Sequence, residues 1–211
     1  SAITRSRYLD FLDRVSSTRT LGFRIDAAKT VVDEEIGDLP VPEGVSSLRT
    51  LRNEADIATA LRLFLQDDVA LAAAVVVKLR SIANAVERSA FAKRHAMLRT
   101  ALLLTYDDAA RLDAAGQAKV ELKMLNFAFV YTLPEGEADL SHRGIPSQDE
   151  VNRDDGYLSG LDELARVMQT VVEELKSSQA TVKREKSELT QEKSRLSKFV
   201  DWEEDSTRSL N

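Results

Sequence analysis

One row of apolar residues constrains this chain more than any other feature. Leu161, Met168, Leu175, Val182, Leu189 and Leu196 recur at every seventh position. A seven-residue repeat keeps side chains on one stripe of an α-helix, whereas a strand would need a period of two. Leu164 and Val171 supply a second seam position at first. Ser178, Glu185 and Glu192 then take that place, until Phe199 restores it. The spacing predicts one helix of about 40 residues, roughly 60 Å long at about 1.5 Å per residue. Its first half has a full stripe to dock on a domain. Its second half has a single narrow row on a Lys/Glu/Arg surface, too thin to be buried as a core helix. That half is expected to project and to bind other protein subunits through Val182, Leu189, Leu196 and Phe199, with Trp202 as an aromatic anchor at the end. The charge run from Lys183 to Lys198 is either a solvated face or part of that surface. The organisation expected is a domain over residues 1–174 and a charged helical extension and tail over 175–211.

The rest of the chain alternates helical and strand signals. Ile3, Tyr8, Leu9, Phe11, Leu12 and Val15 form a helical pattern ending at Ser16-Ser17-Thr18. Alternating Leu21, Phe23 and Ile25 suggest a strand, and the Pro- and Gly-containing acidic stretch from Val31 to Ser47 suggests a loop. Ile57, Leu61, Phe64 and Leu65 mark a helix from Glu54. A strongly apolar helix from about Val69 to Val86 is the expected core helix, broken at Ser89-Ala90-Phe91. Met97–Tyr106 and Lys119–Leu125 read as two strands of an antiparallel hairpin, the second with Val120, Leu122 and Met124 on one face. It runs into Asn126-Phe127-Ala128 and then into Leu133-Pro134-Glu135-Gly136, which must leave the sheet because proline cannot donate to the ladder. The fold class expected is α+β: a small antiparallel sheet from the Leu21, Leu102 and Leu122 strands, backed by helices, with a long projecting C-terminal helix.

Charge and composition exclude several roles. A net charge of -6 over 211 residues argues against nucleic-acid binding, which needs a basic surface. No apolar run is read as approaching the roughly 20 residues of a membrane span, and Ala72–Val77 is read as core packing. With no cysteine there is no disulfide and no thiolate metal site. His95 and His142 stand in separate segments without acidic or histidine neighbours at ligand spacing, so no metal site and no cofactor are expected. The opening SAITRSRYLDF lacks the apolar core of a secretory signal, and an intracellular location is the expectation. A start at Ser1 fits a processed organellar product, for example a mitochondrial one, or a trimmed chain.

Three segments carry a family resemblance. RYLDFLDRVSSTRTLGFRID, about twenty positions without a gap, is similar to a segment of the inositol-trisphosphate 3-kinases. MLNFAFVYTLPEG resembles the metal-binding strand end of the inositol polyphosphate kinases. NRDDGYLSGL resembles the segment that opens their last helix, with Asp154 or Asp155 as its N-terminal acid. The resemblance runs from roughly Arg5 to Glu174 and implies the fold of their C-terminal lobe. Neither a glycine-rich phosphate loop nor a Pro-Asp-Lys-Gly signature precedes Arg5, so the nucleotide lobe is expected to be absent.

The resemblance also implies that the chemistry is degenerate. Asn126 stands where the family has a metal-binding aspartate, and Phe129 where it has lysine or histidine. Ala101 replaces one of two serines near the nucleotide, with Thr100 keeping a hydroxyl. Of the positions implied to contact an inositol phosphate, Arg5, Tyr8 and Lys29 are retained as a vestigial set, and Leu12 replaces an arginine. Two apolar groups in place of phosphate-facing cations remove charge-assisted bonds and add surface that wants a dry partner. The function expected is that of a non-catalytic, pseudokinase-like accessory subunit of a larger assembly. The alternatives are an inositol-phosphate-binding regulatory module, and an active inositol phosphate kinase whose nucleotide lobe is supplied elsewhere.

Overall fold

The computed structural model describes residues 11–32, 35–107, 111–144 and 155–208, with the backbone alone at 32 and 193–208. The chain is α+β and divides into two compact units, Ser1–Val172 and Glu173–Asn211. Strands form three antiparallel pairs: β1 (Lys29–Val32) with β2 (Glu35–Asp38), β3 (His95–Met97) with β6 (Val130–Thr132), and β4 (Ala101–Tyr106) with β5 (Val120–Leu125). The hairpin expected from Met97–Tyr106 and Lys119–Leu125 is present as β4–β5. Along β5 Val120 is buried, Leu122 and Met124 are half-buried, and Glu121, Lys123 and Leu125 are exposed. That alternation is what a sheet with one covered face requires.

The helices form where their caps and apolar stripes put them. Asn53 caps Glu54–Phe64 by accepting from the Asp56 N–H at 2.8 Å, and Asp68 caps the core helix Val69–Arg88 by accepting from Ala70 and Leu71. Leu71, Ala72, Val75, Val76, Leu79 and Val86 make the buried face of the core helix. By length and composition this helix, with a mean hydropathy of 1.7, is apolar enough to cross a membrane. The reading that no run approaches that size is therefore revised, although one face of the helix is domain core. Ser89 ends it and at once caps the short helix Ala90–Lys93. Tyr106 of β4 is edge-on to Phe64, with ring centroids 5.4 Å apart, and donates its hydroxyl proton to the Phe64 carbonyl at 2.7 Å.

Three expectations are corrected. Leu21, Phe23 and Ile25 do not form a strand. Thr18–Leu21 is a helical turn ended by Gly22 at φ 75°, and the Ser17 hydroxyl takes the Phe23 carbonyl at 2.7 Å, an acceptor that a ladder would have used. The loop expected over Val31–Ser47 begins instead with the β1–β2 hairpin, whose β-branched Thr30, Val31 and Ile36 suit a strand. The expected strand Met97–Tyr106 is cut in two, because Arg99 adopts φ 56° and sends β3 and β4 to different partners.

One helix, Tyr157–Arg208, spans 52 residues. Within the first unit it buries Leu158, Leu161, Ala165, Val167, Met168, Val171 and Val172. From Lys176 to Glu192 every residue is exposed. Val182 and Leu189 stand 48% and 56% exposed, as an uncovered row must. The side chains of Leu196, Phe199 and Trp202 lie outside the described residues.

Candidate functional site

β5 ends at Leu125, paired with Ala101 at the first position of β4. Beyond this last pair both chains enter the left-handed region, Asn126 at once at φ 62° and Arg99 one residue further, past Thr100, at φ 56°. Asparagine tolerates that conformation better than most residues. Here its side chain also ties the two departing chains together, the Nδ2 amide donating to the Arg99 carbonyl at 3.2 Å. Phe127–Phe129 form a single tight turn, the Phe129 carbonyl accepts from the Leu98 N–H at 3.1 Å, and the chain returns as β6 against β3.

The charges around this strand end are committed to one another. The Arg99 guanidinium reaches Asp13 at 3.4 Å, and Asp13 also takes Arg24 at 2.5 Å. Arg24 donates its Nε proton to Asp26 at 2.8 Å. Burial would favour loss of the Arg24 charge, but the bonds to Asp26 and Asp13 outweigh it and raise its pKa. The Thr100 hydroxyl is buried with no hydrogen-bond partner among the described residues.

The Leu-Pro-Glu-Gly turn is held from behind by Arg94. Its guanidinium donates to the carbonyls of Pro134 and Glu137, both at 2.7 Å, and the Leu133 N–H donates to the Arg94 carbonyl at 2.8 Å. Prolines and turn carbonyls that no strand can use are thus satisfied by one planar donor.

The positions singled out from sequence fare differently. Ala101 and Asn126 come together at one end of the β4–β5 hairpin, with half-buried Phe129 just beyond. Lys29 sits on the β1 hairpin, its side chain 65% exposed and 3.7 Å from Asp38. Leu12 is buried in the domain, only 6% exposed, so it adds core and not the exposed apolar surface expected of it. Arg5 and Tyr8 lie outside the described residues. A cleft of about 710 Å³ runs along the core helix past Val77, Arg80, Asn84 and Arg88, and among the described residues none of the implied ligand positions lines it.

Sequence reading missed a buried charge node. His142, read as lacking an acidic neighbour, is 1% exposed and lies 2.9 Å through Nδ1 from the Asp155 carboxylate, thirteen residues on. Its Nε2 is 2.8 Å from the Ala92 carbonyl. Asp155 accepts further from the Met97 N–H at 2.5 Å and from the Tyr157 N–H at 3.0 Å, the latter as the helix-opening acid the sequence led one to expect. Burial alone would push Asp155 up, but His142 and the two backbone donors hold it below the ordinary carboxylate value. Burial and the Asp155 charge push the Tyr157 phenol up. The one available signal was an isolated histidine upstream of Asp155-Gly156 at a helix start. No group of metal-ligand side chains occurs among the described residues.

The family model described as inositol polyphosphate kinase matches residues 2–169. Mouse (Mus musculus) inositol-trisphosphate 3-kinase A is 30% identical over 172 residues, covering 82% of this chain and 33% of the relative. The Caenorhabditis elegans inositol-trisphosphate 3-kinase homolog is 30% identical over 177 residues, covering 82% and 31%. Human (Homo sapiens) inositol-trisphosphate 3-kinase B is 33% identical over 167 residues, covering 79% and 16%. The chain spans a third or less of the length of these relatives. With the matched segment covering the β4–β5 strand end, the LPEG turn and the start of the long helix, this chain belongs to the inositol polyphosphate kinase family.

Proposed function

We propose that this chain is a non-catalytic member of its family that serves as an accessory subunit of a protein assembly, with its distal helix as the contact element. The observation that carries the reading is the engagement of Asn126. A carboxylate at that position would serve a hard divalent cation, as the family resemblance implies. The residues here do not fit one. The amide is neutral, and its donor end is turned to the Arg99 carbonyl. An aspartate in the same conformation would set an anion against that carbonyl oxygen. The carboxylate that Arg99 brings into the network, Asp13, is already shared with Arg24. Ala101 and Phe129 lack the hydroxyl and the cation that phosphate handling would use.

Two outcomes test the reading. Full-length protein incubated with ATP, magnesium and inositol trisphosphate is expected to transfer no phosphate above background. Transfer that is lost in Asn126→Ala would overturn it. In the same protein Asn126→Asp is expected to lower stability by about 1 kcal/mol, the usual cost of one lost hydrogen bond, without creating activity.

The contact role rests on the exposed row of Val182 and Leu189, with Leu196 seven residues on. Each apolar side chain buried on a partner contributes roughly 1.5–3 kcal/mol. Serine at all three positions is expected to release the chain from its assembly while the melting of the 1–172 domain stays nearly unchanged. Undiminished co-purification of the triple variant would move the contact to the kinase-like domain.

A further inference from the structure

We infer that the cleft along the core helix docks an acidic peptide segment of a partner protein, a contact separate from the distal helix. Two rows of side chains, each repeating at every fourth residue, lie side by side on this helix. Val77, Ser81 and Ala85 make one row, and Arg80, Asn84 and Arg88 make the other. The first row is short side chains, so another chain can come close to the helix. The second carries two guanidinium groups eight residues apart, about 12 Å along the axis. Their charge is uncommitted. Arg24, Arg94, Arg99, Arg111, Arg143 and Arg166 each hold a carboxylate. Arg88 has no side-chain partner among the described residues, and Arg80 reaches only Gln169 Oε1, at 3.5 Å, the long limit of a hydrogen bond.

The rest of the lining favours the same kind of ligand. Among the described residues no carboxylate lines the cleft, and Glu87, next to Arg88, is taken by Arg143 at 3.2 Å. Ser89, at the end of the helix, accepts the Ala92 N–H through Oγ, which leaves its own proton to donate. In a chain of net charge -6, so many free donors without an acceptor carboxylate call for an anion. Shape then chooses among anions. Val77, Arg80, Ser81, Asn84, Ala85 and Arg88 are all exposed, so a small phosphate ester would not be enclosed over the roughly 70–90% of its surface that such ligands usually bury. An extended peptide needs no enclosure. It advances about 3.3 Å per residue and sets side chains four residues apart on one side, about 13 Å from each other. That spacing matches the two guanidinium groups, each of which can take one carboxylate bidentately. A broad anionic bilayer would meet the negative charge of the whole chain, with Val77 alone as a larger apolar side chain in this cleft to insert.

The probe is fluorescein-labelled deca-glutamate, titrated with the full chain and read by fluorescence anisotropy at low salt. Saturable binding is expected, and Arg80→Gln and Arg88→Gln should each weaken it roughly tenfold. Both guanidinium groups are exposed, so these variants should melt with the wild type. Lys78→Gln is the control. Lys78 is an exposed cation of the same helix that lies outside the cleft and whose charge acts on Glu121 of β5, and its loss should leave the affinity unchanged. Absence of saturable binding overturns the inference. So does equal weakening by Lys78→Gln, which would mean diffuse attraction to any cation on the helix. Tripolyphosphate or phosphatidylserine vesicles bound through Arg80 and Arg88, with deca-glutamate unbound, would give the cleft to a small anion or a bilayer and overturn the peptide. The triple serine variant of the distal row is expected to bind deca-glutamate as the wild type does. Failure of the cleft thus leaves the accessory-subunit reading to its own co-purification test, and failure of that test leaves the cleft standing.

Discussion

Replacing Asp155 with alanine is expected to cost the domain about 3–5 kcal/mol, the usual penalty for leaving one member of a buried ion pair without its partner. The carboxylate side chain is wholly buried and its His142 partner is 2% exposed. It joins three parts of the fold, namely the loop at His142, the β3 backbone at Met97 and the first residue of the long helix at Tyr157. Both ring nitrogens of His142 face acceptors, Asp155 on one side and the Ala92 carbonyl on the other. His142→Ala strands the same carboxylate and is expected to destabilise to a similar degree. Because the two groups are in contact, the double variant should cost clearly less than the sum of the singles. Urea denaturation of the four proteins measures all of this.

The same node fixes the sign of an acid effect. Burial works to raise the Asp155 pKa, but the His142 bond and the Met97 and Tyr157 N–H donors prevail, and the folded value lies below the ordinary 3.8. A group held low in the folded state contributes stability above its unfolded pKa and loses it as pH falls through the folded value. Stability is therefore expected to drop as the pH is taken below 3.8, and Asp155→Asn should flatten that part of the profile. An acid limb of unchanged steepness in Asp155→Asn would show that other carboxylates set it.

What was legible in the sequence follows from period and punctuation. The row from Leu161 to Leu196 announced the long helix, because a stripe repeating every seven residues stays on one face of a helix and on no face of a strand. The β4–β5 hairpin was legible because Val120, Leu122 and Met124 alternate cleanly. The failures have local causes. Leu21, Phe23 and Ile25 alternate too, but the Ser17 hydroxyl takes the carbonyl of Phe23 and Gly22 turns the chain, and neither event shows in hydropathy. Arg99 at φ 56° splits one apolar run between two sheets, and arginine gives no warning of a left-handed backbone. At the site, Asn126, Ala101 and Phe129 were visible as residues. That the Asn126 amide bonds to Arg99, and that Leu12 is core, required coordinates. His142 and Asp155 looked unrelated because their contact is tertiary.

The close approach of Gly22 and Gly160 sets the remaining large effect. Gly22 ends the Thr18–Leu21 turn, and Gly160 lies in the first turn of the long helix, within TLGF and LSGL respectively. A Cβ added at Gly160 would stand 2.7 Å from the Gly22 carbonyl oxygen, and one at Gly22 would stand 3.0 Å from the Gly160 Cα. Both obstacles are backbone, which cannot swing aside as a side-chain end can. In an open helix, glycine to alanine would gain about 1 kcal/mol. Here the overpacking term, typically 1–3 kcal/mol and larger against a rigid backbone, outweighs it, so Gly160→Ala is expected to be net destabilising by about 2 kcal/mol. For a domain of this size that is roughly 4–8 °C in Tm. Gly37 serves as the control, since nothing lies within 4 Å of an added Cβ and its φ is ordinary. Gly37→Ala should melt within a degree or so of the parent, surface changes rarely exceeding about 0.5 kcal/mol. If Gly160→Ala melts with Gly37→Ala, the helix and the Gly22 turn are not in backbone contact, and the two family-like segments must be held together by other residues.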